Sequence, residues 1–288
     1  MISVIAPSSK PQSKTELADT LNYYSKLGIQ VEVPKDLISN DHIFHANSDE
    51  YRFKHLCKSL TRPITWCLRG GYGSTKLLPK LAKKKKLATQ HFIGFSDITA
   101  LLIFLNQEWG WKTIHGCHFA APVKQDKYNI KNFELVRDLL KGKIKTITFD
   151  DLKQLNQIRF TKPIKATVTG GNLAIIEALI GTPWQLETAG KILILEDVDE
   201  RGYSVDRSLN HLKQAGILNK VKAVIFGEFI GGKEPDGRDH TNYALEEFAK
   251  EATFPVFKTR LIGHGYNNYP FIIGGKGELT KSKFVSGF

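Results

Sequence analysis

The chain has few cysteines, with only Cys57, Cys67 and Cys117 among its 288 residues. An odd and sparse set argues against a disulfide framework and fits a reducing compartment. No apolar stretch approaches the roughly 18 residues that a membrane-spanning helix needs. The segment Met1–Pro7 lacks the basic and long apolar regions of a signal peptide and is predicted to form a strand. We therefore expect a cytoplasmic protein with no membrane partner.

Nucleic-acid recognition motifs are also missing, although the chain is basic. Its 41 Lys and Arg residues outnumber 29 Asp and Glu residues, and residues 83–86 form a lysine run. A net charge of +12 would suit an anionic partner. No aromatic-interleaved basic motif accompanies the run, however, and a lysine run at a helix end more often lies in solvent. We expect no nucleic-acid partner.

The common nucleotide and metal motifs are absent as well. The Gly-rich run Leu68–Ser74 has neither G-x-x-x-x-G-K-[ST] nor G-x-G-x-x-G spacing, and Lys76 is misplaced for a P-loop lysine. His115, Cys117 and His118 could ligate a metal, or Cys117 could be a nucleophile, but no cluster with zinc spacing completes the set. A buried structural cysteine is the favoured interpretation. We predict no metal and no cofactor.

Strand-like and helix-like segments alternate from the start of the chain, which predicts an α/β architecture with a largely parallel sheet. With 41% hydrophobic residues, the chain can bury a core in one or two domains. The pattern weakens between about residues 123 and 165 and then resumes. We predict an N-terminal domain at 1–145, a linker at 146–165 and a C-terminal domain at 166–288. The predicted strands are 2–6, 29–33, 64–68, 92–95, 192–195, 223–226 and 255–258, and the predicted helices lie after Ser13 and near 48–60, 74–84, 98–105, 132–140 and 173–179.

Ser96 is the leading candidate for a catalytic nucleophile. It follows the apolar run ending at Gly94 by two residues, and a helix-like run begins immediately after it. A serine on such a strand-to-helix corner has its hydroxyl pushed out of the fold, next to amides that face a substrate carbonyl. A serine hydroxyl needs a positioned base and an orienting third group. The corner therefore predicts a histidine and a carboxylate elsewhere in the chain.

His264 and Glu196 are the predicted partners. His264 lies in Ile262-Gly-His-Gly265, where flanking glycines allow a tight loop that opens an imidazole to a cleft; a turn with a solvated histidine is the alternative. Glu196 ends an apolar strand, and ligand-contacting residues of α/β sheets collect at such ends. Asp197 ranks lower because it stands one residue further from the strand. Both acids could instead mark the strand's exit into solvent or cap the next helix.

The Gly-rich run Leu68–Ser74 also follows a strand directly. Three glycines in four positions permit close backbone approach, and free amides of such a loop can bind an oxyanion or a phosphate. A simple turn is the alternative. A protein that binds anions through this loop without catalysis would be the rival to an enzyme.

Taken together, these segments resemble the serine-type LD-carboxypeptidases, the family that includes the microcin-C-immunity peptidases. The resemblance spans nearly the whole chain, with one departure, since Cys117 stands where the family commonly has proline. The last glycine of the G-x-S-x-G elbow of α/β-hydrolases is replaced here by Ile98. The segments that carry the resemblance are Ile5–Ser9, Arg69–Gly73, Gly94–Asp97, His115-Gly116, Gly170–Leu173, Gly181-Thr182, Leu195–Glu200, Tyr203, Asp206-Arg207 and Gly263–Gly265.

The resemblance implies a flavodoxin-like N-terminal domain with the serine and a smaller, β-rich α/β C-terminal domain with the other two triad members. It implies that Ser96, Glu196 and His264 are catalytic and that the amides of Gly71 and Asp97 form an oxyanion hole. Arg69, Gly70 and Tyr72 would contact the substrate, and Arg69 would pair with a substrate carboxylate or with a structural acid.

The same resemblance implies a homodimer that releases the terminal D-alanine of murein tetrapeptides. The immunity branch, which cleaves peptidyl-nucleotide amides, is the alternative. The chain looks short for a large substrate-covering insertion, and no aromatic loop that would stack a nucleobase is evident in the sequence.

Overall fold

The first sheet consists mainly of strands from the N-terminal half of the chain. The computed structural model describes residues 1–11 and 13–288. Neighbouring strands are parallel and lie in the order β2-β1-β3-β4-β5, which is the flavodoxin-like order. The flavodoxin-like fold of this half is therefore confirmed. Its strands are β1 (Ile2–Ile5), β2 (Val31–Glu32), β3 (Ile64–Cys67), β4 (His91–Gly94) and β5 (Thr113–His115).

Capping residues mark the ends of helices in this half of the chain. Helix α1 starts after Ser13, whose hydroxyl accepts a hydrogen bond from the Glu16 amide at 3.0 Å, as the capping-box spacing predicts. Helix α4 ends at Gly110, which has the left-handed conformation that glycine tolerates best. The helices are α1 (Lys14–Lys26), α2 (Asp49–Ser59), α3 (Leu78–Leu81), α4 (Thr99–Trp109) and α5 (Ile130–Leu140).

The second sheet has eight strands, of which four adjacent ones are parallel. Their order is β6-β14-β13-β8-β9-β10-β11-β7, and the outer strands pair in antiparallel fashion. A smaller, β-rich α/β second unit is thus confirmed. Its strands are β6 (Thr146–Phe149), β7 (Lys153–Gln154), β8 (Ile164–Asn172), β9 (Ile192–Val198), β10 (Ala223–Ile230), β11 (Val256–Lys258), β13 (Lys276–Leu279) and β14 (Phe284–Gly287), and its helices are α6 (Leu173–Ala178), α7 (Gly202–Gln214) and α8 (Thr241–Glu251).

One strand from the C-terminal half returns to the first sheet. Strand β12 (Phe271–Ile273) pairs antiparallel with β5 at the sheet edge. In the range 146–165, assigned above to a linker, β6 and β7 pair with β14 and β11 of the second sheet. The division of the chain at 145 and 166 stays a prediction.

Helix α4 fills the space between the two sheets. Residues 99–105 and Trp109 are buried, as expected because residues 100–105 are apolar on every side of the helix. The helix packs on β4 and β5 of the first sheet and on β8 and α6 of the second unit. At its first turn, the Thr99 hydroxyl accepts a hydrogen bond from the Asn172 amide at 3.1 Å. The corner at Ser96, which precedes α4, is thereby joined to the second sheet.

No helix within the described ranges is both long and apolar enough to cross a membrane.

Replacing Leu102 with alanine tests how much α4 contributes to stability. Leu102 is fully buried in the core that both sheets share, so Leu102→Ala should lower the free energy of unfolding by about 2–5 kcal/mol. Denaturant unfolding followed by far-UV circular dichroism measures the change. Glu108→Ala, at an exposed position of the same helix, is the control and should change it by less than about 0.5 kcal/mol. Equal changes in the free energy of unfolding for the two variants would contradict a contribution of the buried face of α4 to stability.

Candidate active site

Ser96 lies on a sharp corner between β4 and α4. Its φ is 61°, and among the described residues only Ser96 and Asp199 combine a side chain with positive φ. Such a conformation is costly for a non-glycine residue and persists only where the surrounding structure holds it. The corner is also tight, because a Cβ on Gly94 would lie 2.9 Å from the Cβ of Ile98. These features match the strained turn expected of a nucleophilic serine.

The Gly-rich loop after β3 covers this corner. A Cβ on Gly70 would lie 2.6 Å from the Ser96 Cβ, 2.8 Å from its hydroxyl oxygen and 3.2 Å from the Asp97 amide nitrogen. Gly70 therefore has to be a glycine for the loop backbone to approach the serine. The next residue, Gly71, has φ of 106°, which also favours glycine. The Asp97 amide lies in the 3-10 turn Ser96–Ile98 that leads into α4. Amides at such a helix start lack intrahelical acceptors.

The Asp97 side chain is occupied by structural hydrogen bonds. Its Oδ2 accepts from the Ser8 hydroxyl and from the Ser74 amide, the latter at 2.8 Å. The side chain thus joins the loops after β1 and β3 to the Ser96 corner. Burial raises the pKa of Asp97, and the bonds from Ser8 and Ser74 partly oppose that rise. Its Oδ1 is buried and has no partner among the residues that the structure describes, so the backbone amide is the group of Asp97 that can donate to a substrate.

Arg52, a residue of α2 that the sequence analysis did not identify, stabilises the same loops through buried hydrogen bonds. Its fully buried guanidinium donates to the carbonyls of Pro7 and Gly73 and to the Asp49 carboxylate, the last at 2.6 Å. A sequence signal existed, because Arg52 occupies the helical position four residues before the buried Leu56. An arginine on the buried face of a helix indicates a buried partner.

Glu196 and Asp197 are the two residues before the last residue of β9, Val198, and they point in opposite directions, as successive strand residues must. Glu196 is completely buried, and its Oε2 lies 2.6 Å from Nδ1 of His264. Asp197 accepts hydrogen bonds from Asn172 Nδ2 at 2.7 Å and from the Ala174 amide at 2.9 Å. Asp197 therefore organises the start of α6, whereas Glu196 faces the histidine.

The His264 loop packs on Glu228 of β10. Gly263 has φ of 143°, and a Cβ there would lie 2.9 Å from the Glu228 Cβ. A Cβ on Gly265 would collide with the Glu228 carboxylate. The two glycines thus let the loop descend onto the sheet, and the His264 side chain is only 13% exposed. The alternative of a solvated histidine in a simple turn does not fit this burial.

The buried acids and His264 of the site have shifted pKa values. Burial alone would raise the pKa of Glu196, but the charge of His264 and the neighbouring histidine contacts lower it to about 2. Burial alone would lower the pKa of His264, and the Glu196 carboxylate more than reverses this, so the pKa is raised. Burial and the charge of Glu196 raise the pKa of Asp197 to about 7. Glu196 is therefore ionised at any working pH.

His264 packs on the ring of Phe95, the residue that precedes Ser96. The Phe95 and His264 ring centroids are 5.1 Å apart, and Ser96 is the next residue along the chain. Nε2 of His264 is buried and has no hydrogen-bond partner among the residues that the structure describes. A direct Ser96–His264 hydrogen bond is therefore not formed here. Catalytic hydrogen bonds of unliganded sites are often long and shorten when substrate binds.

Arg69 and Tyr72 extend the site outward along the Gly-rich loop. Arg69 donates to the Lys10 carbonyl at 3.2 Å and makes no ion pair within the described part of the chain. Tyr72 is 51% exposed and stacks on His45 at 5.3 Å. Phe44, 65% exposed, contacts Tyr72 with ring centroids 6.2 Å apart. The fold thus forms an exposed aromatic pair, Phe44 and Tyr72, that the sequence analysis missed.

The His115–His118 segment does not form a metal cluster. Cys117 is buried, and burial raises the pKa of its thiol. The His118 ring stacks on Tyr128, and burial together with the Arg69 charge lowers its pKa to about 4. His115 instead faces Glu196, with Nε2 3.7 Å from Oε1. No group of three or more metal-ligating side chains occurs in residues 1–11 and 13–288.

The chain is similar to known proteins along most of its length. Residues 2–116 match the LD-carboxypeptidase N-terminal domain, and residues 165–279 match the LD-carboxypeptidase C-terminal domain. A Rickettsia conorii protein provisionally named as a carboxypeptidase is 43% identical over 288 residues, covering 98% of this chain and 88% of that protein.

Solved structures agree with these matches. Muramoyltetrapeptide carboxypeptidase from Oxalobacter formigenes superimposes with a TM-score of 0.81 at 26% identity, covering 99% of this chain and 97% of that one. An MccF-like protein from Bacillus anthracis has a TM-score of 0.82 at 20% identity, covering 100% and 96%, which shows a shared fold. The chain belongs to the LD-carboxypeptidase family of peptidases.

Proposed function

We propose that the protein is a serine LD-carboxypeptidase that releases the terminal D-alanine of murein tetrapeptides. The observation that carries the proposal is the 2.6 Å bond between Glu196 and His264, which lies beside the strained Ser96 corner. The bond orients an imidazole whose other nitrogen has no partner among the residues that the structure describes, and whose ring packs on Phe95, the residue before Ser96. A non-catalytic anion-binding protein would have no reason to bring these groups together, so the bond argues against that rival.

In the proposed mechanism, the Ser96 hydroxyl attacks the carbonyl of the terminal peptide bond. His264 takes the hydroxyl proton at Nε2, and Glu196 stabilises the imidazolium that forms. Collapse of the tetrahedral intermediate breaks the C–N bond, and His264 returns the proton to the departing D-alanine amine. Water then hydrolyses the acyl-enzyme with His264 again acting as the base.

The Gly-rich loop would stabilise and orient the reacting groups. The amides of Gly71 and Asp97 are the proposed donors to the oxyanion, each contributing on the order of 10²–10³ in rate. Gly70 would allow the close backbone approach to Ser96. Arg69, which lacks an acidic partner in the described chain, would pair with the terminal carboxylate of the peptide. Tyr72 would contact the remainder of the substrate.

A peptidyl-nucleotide amide is the second candidate substrate. The observation that favours it is the exposed aromatic pair of Phe44 and Tyr72 next to the Gly-rich loop. Exposed aromatic rings can stack on a nucleobase. Murein tetrapeptide remains the first proposal because the relative with the matching name shares 26% identity over almost the whole chain. A cytoplasmic homodimer stays a prediction.

The first experiment measures D-alanine released from L-Ala-γ-D-Glu-meso-diaminopimelate-D-Ala by purified protein. Ser96→Ala should reduce kcat by at least about a thousandfold, because no other group on the corner can attack the carbonyl. Ser282→Ala, at an exposed hairpin position, should retain full activity. A Ser96→Ala protein with undiminished turnover would overturn the serine mechanism.

The same assay decides between the two substrates. A peptidyl-nucleotide amide is supplied in parallel, and release of its nucleotide is measured. Turnover of this amide alone would move the proposal to the second candidate, whereas turnover of neither would leave the proposed function without support.

A matched pair of substitutions separates the two neighbouring acids. Glu196→Gln should lower kcat by about 10²–10⁴, because an amide no longer stabilises the imidazolium. Asp197→Asn should instead lower the melting temperature while kcat changes far less, since Asp197 contacts α6 rather than His264. Steady-state kinetics and thermal unfolding of both variants provide the comparison. The reverse pattern would show that the roles of the two acids are interchanged.

The dependence of kcat/KM on pH should report the titration of His264. A base must be neutral to accept a proton, and the Glu196 carboxylate raises the pKa of His264. Activity should therefore fall on acidification with a midpoint above about 6.5, the ordinary value for histidine. Glu196→Gln should move this midpoint downward. A wild-type midpoint below the ordinary value would be inconsistent with the proposed pair.

A further inference from the structure

A second buried histidine faces the carboxylate of the proposed triad. His115 is the last residue of β5 and is fully buried. Its Nε2 lies 3.7 Å from Oε1 of Glu196, the oxygen that His264 does not contact. In the first sheet, His115 is the register partner of Gly94, which stands two residues before Ser96. His115 therefore approaches Glu196 from the sheet that carries the nucleophile.

Aromatic neighbours hold the His115 ring in this orientation. Phe271, its cross-strand partner on β12, stacks on the ring with centroids 4.5 Å apart and planes inclined by 22°. Phe95 contacts the ring edge-on at 6.4 Å. Because both contacts are buried, the imidazole has little freedom to turn its Nε2 away from Glu196.

The polar atoms on both sides of this contact lack other partners. Oε1 of Glu196 and both ring nitrogens of His115 have no hydrogen-bond partner among the residues that the structure describes. A buried polar atom without a partner is costly, and a buried ionised carboxylate more so. A hydrogen bond between Nε2 and Oε1 needs an approach of about 0.6 Å. The two groups are thus the available partners for each other.

We propose that His115 is a positioning residue, which holds the second oxygen of Glu196 so that Oε2 is presented to Nδ1 of His264. The inference rests on the proposed function only for its effect on catalysis. It makes the orientation of Glu196, in the second sheet, depend on a side chain of the first sheet. The proposed triad is then complete only when the two sheets are docked.

The electrostatic consequence has a definite sign. A donor on Oε1 draws negative charge away from Oε2, so loss of the donor should strengthen the attraction between Glu196 and a protonated His264. The pKa of His264 should therefore rise further. The other charged groups that face His264 are Asp197 and Asp199 from the β9 end and Glu228 from β10. On the side of the first sheet, Phe95 separates His264 from His118. None of these groups is altered by a change at position 115.

The test compares His115→Phe with His115→Gln. Phenylalanine keeps the stacking on Phe271 but removes the donor, so kcat/KM should fall about 10–100-fold and its acidic midpoint should move to higher pH. Glutamine keeps an N–H donor, so His115→Gln should retain most of the wild-type kcat/KM and a midpoint close to that of the wild type. His118→Phe is the matched control, since His118 flanks the other side of Phe95 and should leave the midpoint unchanged.

NMR titration of the His264 imidazole in the same proteins gives a readout that needs no substrate. An upward pKa shift in His115→Phe, reversed in His115→Gln, supports the inference even if wild type releases no D-alanine, a result that would count against the proposed function alone. An active wild type whose midpoint and His264 titration are unmoved or lowered by His115→Phe overturns the inference and leaves the proposed function intact. If His115→Phe does not fold, His115→Leu replaces it with the same expected shift.

Discussion

The burial of the Glu196 carboxylate is the constraint on which the rest of the site depends. An ionised group without water is unstable unless partners compensate its charge. His264 supplies the partner at 2.6 Å, and the resulting pair lowers the pKa of Glu196 to about 2. The histidine can reach the carboxylate only because its loop descends onto β10 between two glycines. Loop conformation, side-chain burial and charge are thus consequences of one another.

The geometry of parallel strands explains why the candidate site lies between the sheets. Carboxyl ends of parallel strands present backbone amides and strand-end side chains at a common edge. Ser96 and the Gly-rich loop occupy this edge of the first sheet, and Glu196 occupies it in the second. Helix α4 starts at the serine and is buried against both sheets. Packing of this helix therefore helps to set the distance between Ser96 and the Glu196–His264 pair.

Much of this arrangement could be predicted from local sequence. The Ser96 corner, the capping of α1 by Ser13 and the apolar character of α4 each depend on residues close in the chain, where backbone geometry determines the result. The ranking of Glu196 above Asp197 rests on a strand that ends at residue 195, whereas β9 continues to Val198 and contains both acids. The predicted strands and helices of both halves recur in the structure, with ends that differ by a few residues.

What could not be predicted depends on pairing over long sequence distances. Strand β12 joins the first sheet although it follows most of the second, and only three residues form it. The aromatic contact between Phe44 and Tyr72 and the carbonyl contacts of Arg52 bring together loops from different strands. His115 looked like part of a metal motif because its neighbours in sequence are Cys117 and His118. Its neighbour in space, Glu196, is 81 residues away.

Two adjacent carboxyl groups near the end of β9 have strongly different pKa values. Glu196 is held ionised with a pKa of about 2, whereas Asp197 has a pKa raised to about 7. Strand alternation separates their side chains, so one faces histidines and the other faces the amides of α6. Burial and repulsion by the Glu196 charge together raise the pKa of Asp197. Glu196 thus carries the permanent charge beside His264, and Asp197 anchors the start of the helix that follows.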